Sequence, residues 1–353
     1  MLEENASASG TSEDGGDVPT PVGLIVGGVR TVAARSVDDT VQTEVALTCS
    51  ATYQDVLTGK RRTVYGDRAA TEYPDRAQFM LQSELTDERA TVTHSFLDAF
   101  ARANELPSNS VVVYAIPSFD NRATMLDTIV EESIGERLLC GYPMALCGSI
   151  PVFESGLDAL DRIFIAINAG STNLEGCVYR RGEQLARFST GSVRGFEVDK
   201  WIINNVEERT QGRVHIDRTT AREYKEGRTD HDDFRPFTDS ATSTGKPIHE
   251  STVEHGVSDA IDRYVEKAVD EIANGFLPRL ASRSIKIYKR TLEKPIVLTG
   301  DMAVVPGLGK AFEDRLSTEL QRNIVVIAPE EPTTAAARGA HRIARRLVET
   351  KEY

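Results

Sequence analysis
Apolar and polar positions divide this chain into short runs of two kinds, and the most regular of them come in pairs. Residues 163–167 (I-F-I-A-I) are mostly β-branched and aromatic, which predicts a strand buried on both faces. The small-residue run Asn168-Ala169-Gly170-Ser171-Thr172-Asn173 predicts a turn, and residues 174–179 predict the returning strand. Residues 22–33 (V-G-L-I-V-G-G-V-R-T-V-A) repeat the arrangement of strand, tight glycine turn and strand. Two such hairpins about half a chain apart predict an internally duplicated fold with a ligand between the halves. Hairpin tips of Gly, Ser and Thr can gather backbone N–H groups around one anion, and the same tips serve equally well as ordinary polar turns.

The remaining pattern alternates strand and helix. Residues 45–53 and 63–65 predict strands joined by the turn Thr58-Gly59-Lys60, and residues 76–82 predict nothing definite. Phe96, Leu97, Phe100 and Ala101 fall at helical spacing in residues 91–104, after the capping signal Thr86-Asp87-Glu88-Arg89. Residues 110–115 (S-V-V-V-Y-A) predict a buried parallel strand, followed by a helix over 122–134. Further on, helices are predicted over 196–208, 253–276 and 334–348, with buried strands at 296–299 and 324–327. Trp201 belongs to the apolar stripe of the 196–208 helix and is expected in the core. Such alternation predicts α/β layers, and 353 residues suggest about two domains.

Composition narrows the function classes. A net charge of −13 argues against nucleic acid, which demands a basic face. Arginine outnumbers lysine and acids dominate, a balance that keeps a protein hydrated in high salt. No apolar run approaches the ~20 residues of a membrane span, and residues 1–20 lack the basic start and apolar centre of a secretory signal. They read as a solvated acidic tail, which leaves the cytoplasm as the expected location. Cys49, Cys140, Cys147 and Cys177 show no C-x-x-C spacing and are expected as buried free thiols. His249-Glu250 with His255 lacks the four-residue spacing that puts two ligands on one helix face.

In its paired hairpins the sequence resembles the actin superfamily, in particular bacterial MreB and the haloarchaeal actin homologues of the salactin and volactin type. Three more stretches follow in the family's order. Y-P-M-A-L-C-G at 142–148 with I-P-V at 150–152 is similar to the connecting segment, and T-T-A-R-E-Y-K at 219–225 to the segment flanking the base. I-V-L-T-G-D-M-A at 296–303 with P-G-L at 306–308 is similar to the adenosine loop. The resemblance implies an α/β, actin-like (ribonuclease H-like, duplicated) fold of two α/β domains around a central cleft. It places domain I at 21–142, a connecting segment at 143–158 and domain II at 159–333, with an inserted subdomain at about 209–252. Residues 334–353 would be a closing helix returning to domain I.

The resemblance also implies ATP as ligand, held by Gly27, Gly28, Val29, Arg30 and Thr31 of one loop and Gly170, Ser171, Thr172 and Asn173 of the other. Glu223 and Lys225 would flank the base, and Gly300, Asp301 and Met302 would form the adenosine loop. The family's two loop aspartates, which orient Mg²⁺ and its waters, fall here on Ile25 and Ala166. Its water-positioning glutamate falls on Tyr142, and none of the three can hold a divalent ion or take a proton from water. The implied protein is a cytoplasmic, cytoskeletal filament former of a halophilic archaeon that partners itself head to tail. ATP hydrolysis in it would be at most slow, and Mg²⁺ is not expected to be needed. Two other functions share the superfold: a non-polymerising regulatory binder, and a sugar kinase or chaperone-type ATPase.

Overall fold
A computed structural model describes residues 18–38, 40–82, 85–116, 123–134, 138–153, 156–227 and 250–353. The expected acidic tail up to residue 17 and residues 228–249 of the expected subdomain lie outside them, as does His249. Two five-stranded sheets form the frame. The first uses β1 (Thr20–Val26), β2 (Arg30–Val37), β3 (Thr40–Leu47), β7 (Ser110–Ile116) and β8 (Leu138–Pro143), in the order β3-β2-β1-β7-β8. The second uses β9 (Ile163–Ala169), β10 (Leu174–Arg180), β11 (Glu183–Thr190), β12 (Ile296–Thr299) and β13 (Val326–Ile327), in the order β11-β10-β9-β12-β13. In each, the first three strands of the chain are antiparallel neighbours and the last two add in parallel. The same topology twice is the duplication that the paired hairpins predicted. A small third sheet joins β4 (Cys49–Gln54), β5 (Arg61–Tyr65) and β6 (Gln78–Phe79).

Strand parity decides which helices cover each face. Val22, Leu24 and Val26 of β1 pack against α2 (Asp87–Ala103) and α3 (Ala123–Ile134). Ile25 faces the other way, onto α4 (Met144–Ser149) and the closing helix α11 (Pro332–Thr350). In the second sheet Ile165, Ile167 and Ala169 share a core with α5 (Gly195–Arg209), α7 (Glu250–Asp270) and α10 (Leu308–Glu319). Two short helices, α8 (Leu277–Arg283) and α9 (Ile285–Thr291), link α7 to β12, while α1 (Gly66–Glu72) covers the third sheet and α6 (Arg218–Lys225) follows α5.

Close backbone approaches seat α11 against β1 and α4. A Cβ on Gly23 would lie 2.1 Å from the Ala337 carbonyl oxygen, and one on Gly339 would lie 1.8 Å from that of Cys147. Only glycine lets α11 lie this near to β1 and α4. Among the described residues no helix is long and apolar enough to cross a membrane.

Three sequence expectations change. The run expected as one strand over 45–53 breaks at Thr48, whose N–H donates to the Val29 carbonyl and whose hydroxyl meets Thr31 Oγ1 at 3.0 Å. There the chain leaves the first sheet and enters the third. The helix expected over 253–276 runs only to Asp270 and widens into a π-helical turn over Glu271–Phe276. Pro278 follows, and its missing N–H interrupts the regular ladder. Trp201 is half-buried at the edge of the core, not inside it, with Arg263 and Lys267 over its ring at 4.4 and 5.0 Å. All four cysteines are free thiols, Cys140 half-buried and the others buried.

One buried group makes stability depend on pH. His341 of α11 touches Ser36 Oγ through Nε2 at 3.1 Å. Burial, with the charges of Arg345 and Arg342, lowers its pKa from 6.5 to about 4. The unfolded chain therefore binds the extra proton between those values. Stability is full above pH 6.5 and falls as pH drops towards 4. Urea titrations at pH 7 and pH 4.5 should show the wild type losing about 2 kcal/mol more than His341→Gln.

Candidate functional site
The turns of the two hairpins meet across the gap between the sheets. A Cβ on Gly28 would lie 2.4 Å from Ser171 Oγ and 3.1 Å from Thr172 Cγ2, so Gly28 is the residue that lets the tips come together. The N–H of Gly27 closes its own turn onto the Arg30 carbonyl, and that of Gly170 closes onto Asn173. Donors on offer to a ligand therefore sit at the tips, on Gly28, Ser171 and Thr172.

Between the tips lies a cavity of about 50 Å³. Of the residues singled out in the sequence, Gly27, Gly28, Gly170, Ser171, Thr172, Asn173, Gly300 and Asp301 border it. Val29, Arg30, Thr31, Glu223, Lys225 and Met302 do not. Val29 packs with Leu47 and Cys49, Thr31 is tied to Thr48, Met302 is a core residue of the second domain, and Glu223 is half-buried beside Arg222. Sequence reasoning missed the apolar wall of Leu81, Leu126 and Met144, the polar Asn168 and Thr299, and the start of α11 at Pro332 and Thr333. Pro332 at the first turn of a helix was the available signal for the last of these.

The three positions without their carboxylates do not sit together. Ile25 borders the cavity, whereas Ala166 is buried among Leu146, Cys177 and Val297. Tyr142 packs beside that cluster and borders a separate groove with His341 and Arg345. Phe164 and Ala166 share the strand face of β9 that packs on Ala145 and Leu146 of α4. Among the described residues Asp301 is the single carboxylate bordering the cavity. Burial raises its pKa, with Arg30 opposing. Among the described residues no three His, Cys, Asp or Glu side chains are grouped to hold a metal. One carboxylate among amides and hydroxyls is not the hard oxygen set that Mg²⁺ takes, so the donors of the described residues do not fit that ion.

Charged side chains fill the space beside the cavity. Arg30, at the start of β2, donates from Nη2 to Glu226 Oε2, which follows α6; each side chain is 2% exposed. Arg30 Nη1 lies 4.0 Å from Asp301 Oδ1. Burial alone would raise the Glu226 carboxyl, but Arg30, Arg222 and Lys225 outweigh it and hold the group below its ordinary value. Asp217 caps α6 by accepting from the N–H groups of Thr219 and Thr220. Lys225 Nζ donates to Asp199 Oδ1 at 2.5 Å, which fixes α6 to α5. The Arg218 guanidinium stands 5.6 Å from the Phe79 ring of the first domain and 5.3 Å from the Phe196 ring of the second.

Comparison with known proteins places this geometry. MreB 5 of Spiroplasma citri bound to AMPPNP matches with a TM-score of 0.68 at 15% identity, over 96% of this chain and 99% of that one. The MamK double helical filament structure matches with a TM-score of 0.66 at 19% identity, over 92% and 98%. At these identities the likeness establishes the actin-like, two-domain fold. Salactin of Halobacterium salinarum is 51% identical over 357 aligned residues, 99% of each chain. A family model described as Salactin matches residues 19–348. The chain belongs to the Salactin family, within the actin-like fold.

Proposed function
We propose that this protein is a cytoskeletal subunit that assembles head to tail with copies of itself into cytoplasmic filaments, and that its cleft takes an adenine nucleotide. The tip of the β4–β5 hairpin carries the first half of this. Val56 and Leu57 stand there 95% and 96% exposed, on a chain of net charge −13. Two adjacent aliphatic side chains wholly in water contribute nothing to this fold, and they suit burial against another molecule. A tip docked on a different face of the next copy makes a contact that repeats without closing, which is a filament. Membership of the Salactin family and the filament in which MamK was solved support this.

The nucleotide rests on the facing donor tips and on the AMPPNP and ADP held by MreB 5 in the same fold. With one carboxylate at the cavity among the described residues, rapid hydrolysis is not expected of it. Sedimentation across a concentration series, in low and multimolar salt and with and without ATP, tests assembly. A critical concentration is expected. A monomer at every concentration and condition would leave a regulatory binder as the function.

A further inference from the structure
The cavity of about 50 Å³ is far smaller than the ~300–1,000 Å³ of sites that enclose small ligands. On the nucleotide reading, something must move before a ligand enters, and the cross-domain contacts show what. Arg30 belongs to the first sheet, and Glu226 and Asp301 belong to the second domain, so this ion cluster spans the cleft. Phe79 and Arg218 span it nearby, and Gly28 meets Ser171. α4 and α11, which border the same cavity, are by contrast held to each other and to β1 by close backbone contacts that cannot slide apart as easily.

Charge is a poor choice for permanent adhesion. Well-packed apolar residues of the same size generally hold two surfaces at least as firmly as a buried ion pair. What a pair offers is exchange, because either partner accepts water or another ion once separated. Arg30 Nη1 has no hydrogen-bond partner, and neither do Arg222 Nε and Nη1 on the adjoining α6, although both arginines are buried. The region beside the cavity thus holds guanidinium donors without hydrogen-bond partners, and the chemistry that satisfies them is an anion of several oxygens.

We propose that Arg30 and Glu226 form a lock across the cleft, and that a nucleoside polyphosphate opens it by taking the place of the Glu226 carboxylate on Arg30. The inference rests on the nucleotide reading. It assigns the two residues opposite roles: Glu226 keeps the ligand out, and Arg30 receives it, with Arg222 beside it. No bond is made or broken beyond the exchange of one anion for another.

Hydrogen exchange and stopped-flow binding of a fluorescent N-methylanthraniloyl ATP, on the full-length protein, test this together. In Glu226→Gln, amides of residues 27–31 and 170–173 should exchange roughly 10-fold faster, and the analogue should associate roughly 10-fold faster, while β7 exchange stays unchanged. In Arg30→Gln the turns should also exchange faster, but the analogue should bind more weakly than to Glu226→Gln. Glu226→Asp, which keeps the charge and weakens the contact, should fall between wild type and Glu226→Gln and serves if the latter does not fold. The lock is overturned if turn exchange is unchanged in both variants, or if β7 and the turns accelerate equally. Identical binding in the two variants would overturn the exchange of anions. Faster turns with no analogue bound by any protein would overturn the nucleotide reading itself, and leave the lock as measured by exchange.

Discussion
Val56→Ser with Leu57→Ser should raise the critical concentration for assembly about 100-fold while leaving folding untouched. The size follows from burial: covering an aliphatic side chain of this kind gives about 1.5–3 kcal/mol. Losing about 3 kcal/mol from one longitudinal contact shifts its equilibrium roughly 100-fold. Folding is spared because both side chains are almost wholly exposed in the single chain. The Asp55 carboxylate that shapes the turn, accepting from the N–H groups of Leu57 and Thr58, stays in place because those bonds come from backbone. Pelleting assays over two decades of concentration, with circular dichroism as the folding control, read the result. An unchanged critical concentration would move the contact elsewhere on the surface.

The second large effect lies at the junction of α4 and α11. Gly339→Ala puts a methyl group 1.8 Å from the Cys147 carbonyl oxygen and 2.7 Å from its carbon. Neither is the end of a flexible side chain that could turn aside. Either α11 or α4 must shift as a body, which breaks the fit of Ala336, Ala340 and Ile343 against Val113 and Ile150. Overpacking of a rigid site costs about 3 kcal/mol. Urea unfolding should show a loss of that order, against little change for Gly309→Ala, where a Cβ meets nothing within 4 Å. Equal stability of Gly339→Ala and wild type would mean that the α4–α11 junction is soft, and the cleft would then lack a fixed side to open against.

Much of the frame was legible because it is written locally. The two hairpins announce themselves by β-branched runs ending in small residues, and the structure gives both the same strand order. Cavity residues on the turns, such as Gly28 and Ser171, were found for the same reason. The rest needed distance or parity that no local pattern carries. Arg30 and Glu226 are 196 positions apart, so Arg30 read as a donor for phosphate and Glu226, one residue beyond the segment singled out, was passed over. Ala166 was placed at a reaction centre by resemblance. Both faces of β9 are buried, so its apolar run cannot tell which side meets the cavity and which meets α4. The break at Thr48 was hidden because strand composition continues unbroken across it, while the change of sheet depends on a bond to Val29 in the distant β1–β2 turn.

Two claims meet in one sample: that the protein assembles, and that assembly does not need rapid Mg²⁺-driven hydrolysis. Removing a single donor to a transition state typically costs ~10²–10³-fold in rate. A cleft with Ile25 at its wall and Asp301 as the one acid among its described residues should therefore turn over far below the ~1–10³ s⁻¹ usual for enzymes. Pelleting and phosphate release should be followed together, in multimolar salt, with ATP plus Mg²⁺ and with ATP plus EDTA. The expected result is polymer in both samples, with phosphate released more slowly than about one per subunit per minute in either. Polymer that forms only with Mg²⁺, accompanied by release at many per minute, would contradict the account.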